Sequence, residues 1–435
     1  GEMEAGRAAL ERAYQIAPTS SLAGVRLAAF HRMDGKPGEA RRILDEMIAA
    51  MPTFVPALLE LASMDVAERK YEDAARRIET LLAEHPRHPP TLLLRARSHL
   101  LQGRLDAAEK EVAALIEAFP TYAAAHVERA RIKVRKGRVE EAERDLLRAL
   151  ELVPGNVEAS LALAELDLRR GQAEGAIARL LPLSGDGSTE RVQALLLLGS
   201  AYRSAGRWPD ALSVYRDLGA LLPDSPQPLY LAAMTLDAAK DVAGVITNLE
   251  AALVKSPEFV PAASSLVGIL MREGRTNEAM ARIDGWVSAR PEIAGFHHLL
   301  ASAKLAVGDD AEAEESLKRA IQATPQNPSA CMDLGRLYVR QGRIDEAMAQ
   351  FRDSAAANPR DPVPHMMMAV LNQSRNRDDE AIRGYEKAIE IAPSFVGALN
   401  NLAYLLAVRE QDLDRALDLA QRARELAAGD AAVAD

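Results

Sequence analysis

Apolar residues in this chain recur at three- and four-residue steps in short blocks, and the blocks themselves recur. Residues 328–361 show the unit. Leu334, Gly335 and Tyr338 share one face of a predicted first helix, which Gly342 closes. Ala347, Phe351 and Ser354 share one face of a predicted second helix, which Pro359 stops. Steps of three and four are the signature of one face of an α-helix. A helical hairpin of this size cannot bury its apolar stripe alone, so it needs a copy on each side.

The copies are present. Pro18, Pro52, Pro86, Pro120 and Pro154 form an evenly spaced ladder, which resumes at Pro223, Pro257, Pro291, Pro325, Pro359 and Pro393. The step is the period of about 34 residues known for helical-hairpin repeats. Proline lacks an N–H and cannot continue a helix, so each ends a second helix. A ladder of alanines runs through the second helices, among them Ala40, Ala74, Ala142 and Ala347, with Val245 the exception. Another ladder of small residues runs through the first helices, from Ala28 and Ala62 to Gly199, Gly335 and Ala403. Small side chains are required where helices cross closely. Glycine closes eight of the first helices, as at Gly35, Gly137 and Gly342. It accepts the left-handed conformation of a helix C-cap without strain. Asn376 takes that place once, and Arg69 and Lys240 fit it less well.

The period slips at residues 181–189, where one residue is added and Pro182 cuts a second helix short. Two readings remain open there: a surface insertion, or a bend between two half-arrays. A further residue is added at Glu410-Gln411-Asp412. The predicted organisation is a lone second helix over 1–20, repeats over 21–190, and repeats over 191–435 in one continuous solenoid. The last residues, Ala-Ala-Val-Ala-Asp after Gly429-Asp430, read as the start of another first helix, so both ends are expected to be cut from a longer array.

With these ladders aligned, the chain resembles the tetratricopeptide repeat (TPR) family over nearly its whole length. Leu195, Leu198, Gly199, Tyr202, Ala211, Tyr215 and Pro223 match the family pattern, as do Leu334, Gly335, Tyr338, Ala347, Phe351 and Pro359. The resemblance implies an all-α, right-handed superhelical solenoid of about twelve helix-turn-helix repeats. It implies that the first helices line a concave groove that binds protein or peptide partners. More narrowly, the segment Asn400-Asn401-Leu402-Ala403-Tyr404 resembles bacterial TPR lipoproteins of exosortase/PEP-CTERM systems. That implies a periplasmic or outer-membrane-associated setting, with a cytoplasmic one left open.

Composition narrows the picture. Hydrophobic residues make up 48% but aromatics only 4%. Such a core is built from alanine and leucine in close helix packing. The net charge of −10 argues against a nucleic-acid binder. No apolar run reaches the length of a membrane span. The single cysteine, Cys331, excludes an intramolecular disulfide and reads as a buried, inert thiol. Adjacent His297 and His298 point about a quarter turn apart and do not readily share a metal; His85 and His88 flank a repeat boundary. No phosphate loop or metalloprotease motif is present, so neither a cofactor nor catalysis is expected.

Candidate function therefore rests on the groove. Arg97, Arg131, Arg135 and Arg169 project inward from consecutive first helices, either as a positive stripe for an acidic ligand or as solvated arginines. Tyr230, Met234, Met366 and Met367 read as adaptable groove contacts or as packing. Asn400, Asn401 and Tyr404 stand near the end, where asparagine in a TPR groove holds an extended peptide backbone. The carboxylate clamp of chaperone-tail receptors cannot be assembled. Three readings follow: a scaffold for protein partners, a periplasmic arm of an exopolysaccharide-export system, or the substrate-binding array of an enzyme whose catalytic domain lies outside this chain.

Overall fold

The computed structural model describes residues 2–16, 22–185, 190–325 and 327–428. These form 25 α-helices and one 3-10 turn, with no strand among the described residues. A lone helix, Glu2–Ile16, precedes twelve hairpins, as the ladders predict. The chain divides into two compact units, Gly1–Leu221 and Leu222–Asp435, each holding six hairpins. At the period slip, the second helix Ala173–Leu180 stops after 8 residues where its predecessor Val139–Leu152 runs for 14. A 3-10 turn over Leu181–Leu183 follows, built around Pro182. Pro18, residues 186–189 and residues 429–435 lie outside the described residues.

Each hairpin turn closes by the same backbone bond. The N–H after the left-handed residue donates to the carbonyl five residues back, as from Lys36 to His31 (2.8 Å), Arg343 to Tyr338 (2.8 Å) and Gln411 to Leu406 (3.0 Å). This is the six-to-one bond of a Schellman cap, which satisfies orphan carbonyls at the helix end. Gly342 takes φ +75°. Arg69 (φ 60°), Lys240 (φ 63°), Asn376 (φ 56°) and Glu410 (φ 50°) adopt the same conformation in their turns. The weak fit of Arg69 and Lys240 is thus one of residue type and not of backbone. Between hairpins the chain makes a second tight turn with proline as its second residue. Phe54 N–H donates to Met51 O across Pro52 (3.1 Å), and Phe395 N–H to Ala392 O across Pro393 (3.0 Å).

Small residues set the approach of the two helices. Ala40, Ala142 and Ala347 are fully buried. A Cβ on Gly335 would lie 2.5 Å from the Phe351 ring, and one on Gly199 would lie 2.4 Å from the Tyr215 ring. The rings occupy the space that the missing side chains leave. Ser354, on the same face as Phe351, is buried and donates its hydroxyl to Pro328 O at 3.0 Å.

Charge also joins successive hairpins within each unit. A cation at the end of a first helix reaches an acid in the first turn of the preceding second helix, 30 residues earlier. Lys136 meets Asp106 at 2.5 Å, Arg375 meets Asp345 at 2.7 Å and Arg409 meets Asp379 at 2.8 Å; Arg340 meets Asp310 in the same way. Both partners sit where the helix dipole favours their sign. Such exposed pairs are individually weak, because solvent screens them. Glu143 reaches Arg170 of the next hairpin at 2.6 Å. Other pairs lock single hairpins at a spacing of 12 residues. Buried Asp65 accepts from Arg77 (2.8 Å), and Asp167 accepts from Arg179 (2.8 Å).

Two predictions follow from these contacts. Gly342→Val places a β-branched residue at a left-handed position with nothing within 4 Å of the new Cβ. The cost is therefore conformational, about 1–2 kcal/mol. It should appear in hydrogen exchange of that hairpin and its neighbours only, because repeat stability is a nearest-neighbour sum. Uniform loosening along the unit would refute this. The second concerns Glu314, which accepts from Arg343 (2.6 Å), Lys318 (2.7 Å) and the Tyr338 hydroxyl (3.2 Å). The Arg343 hydrogen bond above all holds its carboxyl down, from an ordinary 4.5 to about 2. A depressed folded pKa stabilises above the unfolded pKa, and that stability is lost as pH falls toward 2. Glu314→Gln should flatten the fall in melting temperature of the Leu222–Asp435 unit between pH 4.5 and 2, relative to the native chain.

Candidate functional site

The first helices Pro89–Leu101, Ala123–Arg135 and Val157–Arg169 pack in sequence within the first unit. The 34-residue period puts equivalent positions of these helices side by side. All four arginines singled out in the sequence line one pocket of about 600 Å³. Its walls also hold Leu100, Val134, Leu161 and Leu166, and four carboxylates: Glu128, Glu158, Glu165 and Glu190. The arginines do not stand as an uninterrupted positive stripe.

Their states differ. Glu128 is buried, at 0% exposure, in the middle of the helix Ala123–Arg135. Its Oε2 accepts from Arg97 through Nε (3.1 Å) and Nη2 (3.0 Å), and from Arg131 Nη1 (3.0 Å). Arg131 also reaches Glu158 at 3.5 Å. Burial presses the Arg97 pKa down, but the charge and hydrogen bond of Glu128 outweigh it and leave it above its ordinary value. Glu128 Oε1 has no hydrogen-bond partner among the described residues. Arg135 and Arg169, the last residues of their helices, are exposed and pair with no carboxylate among the described residues. Glu165 is half-buried and is likewise unpaired, although it lies one helical turn before Arg169. The available cations are thus Arg135 and Arg169. The glutamates escaped the sequence reading, although Glu128, Arg131 and Arg135 follow a spacing of three and four that puts them on one helix face.

The remaining candidates lie in the second unit, at separate places. Tyr230 packs edge-on against Phe259 (5.6 Å between centroids), and Met234 packs against the same core. Met366 and Met367 pack against two neighbouring cores. These four are half-buried packing residues. Asn400 and Tyr404 line a second pocket of about 410 Å³ with Leu413 and Leu417; Tyr404 is 63% exposed. Asn401 turns to the hydroxyl of Tyr385.

Residues screened for other chemistry have structural partners. His297 is buried, with Nε2 2.8 Å from Pro291 O, while His298 Nε2 lies 2.8 Å from Asp333 Oδ2. His88 Nδ1 lies 2.8 Å from Thr91 Oγ1, and burial lowers its pKa. Cys331 is buried, and burial pushes its thiol pKa up. Among the described residues no helix is long and apolar enough to cross a membrane.

The fold and site define a helical-hairpin repeat array with a charged pocket on its first helices. The chain belongs to the tetratricopeptide repeat family, whose models match residues 65–132, 133–199, 194–229 and 304–371, together more than half of it. It is similar to the peroxisomal targeting signal receptor of Saccharomyces cerevisiae, at 26% identity over 173 residues, covering 36% of this chain and 27% of that protein. It is also similar to the cellulose synthase operon protein C of Xanthomonas axonopodis pv. citri, at 28% identity over 179 residues, covering 39% of this chain and 12% of that protein. The matched stretch therefore spans less than a third of either relative. Among solved structures, yeast Tom70 aligns with 85% of this chain and 84% of its own at 17% identity and a TM-score of 0.40.

The buried carboxylate yields a stability prediction. Arg97→Met or Arg131→Met alone leaves Glu128 with one guanidinium. The double variant leaves a buried, unpaired carboxylate and should cost about 3–5 kcal/mol. Urea denaturation of the four proteins should show a double loss well above the sum of the single losses. Additive losses would contradict the shared-carboxylate arrangement.

Proposed function

We propose that this chain is a non-catalytic scaffold that binds protein or peptide partners, acidic ones among them, in the groove formed by its first helices. The observation that carries this reading is the pocket whose wall holds Arg135 and Arg169, unpaired among the described residues. Guanidinium groups held on a rigid repeat lattice pair bidentately with carboxylates. The yeast relative, by its name a receptor for a targeting signal, supports recognition of peptide segments. The proposed setting is a bacterial envelope assembly or secretion system. Similarity to a cellulose synthase operon protein favours a second, narrower reading: a periplasmic arm of an exopolysaccharide-export system.

The test is affinity capture from the source cell with this chain as bait, at low and moderate salt, followed by mass spectrometry. Arg135→Glu with Arg169→Glu should lose the partners that the native chain captures, and salt should weaken the native capture. Partners retained by the double variant with unchanged salt dependence would overturn the pocket as the binding site. Co-purification of polysaccharide-synthesis or export proteins would select the narrower reading; their absence would count against it.

A further inference from the structure

The pocket's formal charge is balanced. Four arginines and four glutamates line it, so a purely acidic segment would meet carboxylates as well as guanidinium groups. The signs are also sorted along the helix axes. Arg135 and Arg169 end their helices, whereas Glu158 lies in the first turn of Val157–Arg169 and Glu190 is the N-cap of Arg191–Ser204. Arg97 and Arg131, between these ends, are held by Glu128. One end of the pocket therefore offers free guanidinium groups, the other holds Glu158, and Glu165 stands between them, one turn before Arg169. Glu158 and Arg169 stand eleven positions apart on one helix, about 16 Å at about 1.5 Å per residue. Leu161 and Leu166 lie between them in the wall.

Two further observations say that the carboxylates call for a donor. Glu165 lines the pocket, half-buried and unpaired, one helical turn from an arginine that it does not engage. Glu128, fully buried in the same wall, has one oxygen without a hydrogen-bond partner among the described residues. A buried, unsatisfied carboxylate oxygen is costly and favours nearby positive charge.

We infer that the pocket takes a bipolar peptide segment: an Asp or Glu side chain on Arg135 and Arg169, and a Lys or Arg side chain toward Glu158 and Glu165. An extended chain advances about 3.3 Å per residue, so a base about two residues from the acid reaches Glu165, about 6 Å from Arg169 along the helix, and one about five residues away reaches Glu158. Between them the segment presents an apolar side chain to Leu161 and Leu166. The inference rests on the peptide-groove reading and specifies its ligand.

The experiment selects phage-displayed random dodecapeptides on the whole chain. A fluorescein-labelled consensus peptide then gives affinities by anisotropy for the native protein and for two variants, R135Q/R169Q and E158Q/E165Q, whose folding circular dichroism verifies. The expected consensus carries an acid and a base about two to five residues apart. Replacing either peptide charge with Ala should weaken binding to the native protein about threefold to fivefold. The acid-to-Ala loss should vanish on R135Q/R169Q and the base-to-Ala loss on E158Q/E165Q. A consensus with acids alone, or an unchanged affinity on removing the base, overturns the bipolar ligand and leaves the peptide groove standing. No enrichment, or enriched peptides that bind R135Q/R169Q and E158Q/E165Q as tightly as the native chain, overturns both.

Discussion

Within each hairpin two helices cross at a point where one of them carries almost no side chain. Gly335 beneath Phe351 and Gly199 beneath Tyr215 are the tightest instances, and the buried alanines of the other hairpins are looser ones. Close approach lets a short turn join the helices and lets a single left-handed residue close it. It also gives the ring of Phe351 complete burial, which for a side chain of that size contributes about 1.5–3 kcal/mol. The apolar surface left on the outer faces then has to be covered by the next hairpin. Repetition is the consequence of that leftover surface, and stability accumulates neighbour by neighbour.

This constraint explains why the architecture was legible in the sequence. A crossing point favours Gly or Ala, with Val245 the exception, and a chain-reversing junction favours Pro, each at one fixed position in the repeat. Those positions therefore form ladders that survive variation everywhere else. The limit of such legibility shows at Arg69 and Lys240. Residue type alone marks them as poor turn formers, yet the two helices that flank each turn impose the left-handed backbone regardless. A residue preference worth about 1–2 kcal/mol yields to the packing of two helices.

The candidate site was legible in a different measure. The repeat period placed Arg97, Arg131, Arg135 and Arg169 around one pocket, because a periodic lattice makes inward positions predictable. Their charge state was not predictable that way. Whether an arginine is free depends on a carboxylate 31 residues from Arg97 and 3 from Arg131, and Glu128 has the same composition signal as any exposed glutamate. Tyr230, Met234, Met366 and Met367 are half-buried, and that too was not legible in the sequence, for a related reason. Their exposure is fixed by neighbouring repeats; at Gly397 the absence of a side chain leaves the room that Met366 Sδ fills.

Among the charged residues of this chain three separate geometries stand out: clasps between hairpins 30 residues apart, locks within hairpins 12 apart, and the pocket wall. The first two use residues beside the turns and across the helix pair, and so belong to the lattice. The exposed pocket charges occupy positions that the lattice leaves unassigned. Arg135 and Arg169 stand at helix C-termini and Glu158 at an N-terminus, where the helix dipoles already favour those signs. Placing exposed charge there costs the fold little. The small-residue crossings and the turns can stay fixed while these positions vary. The same scaffold can then present a different charge pattern to a different partner without altering the contacts that hold it together.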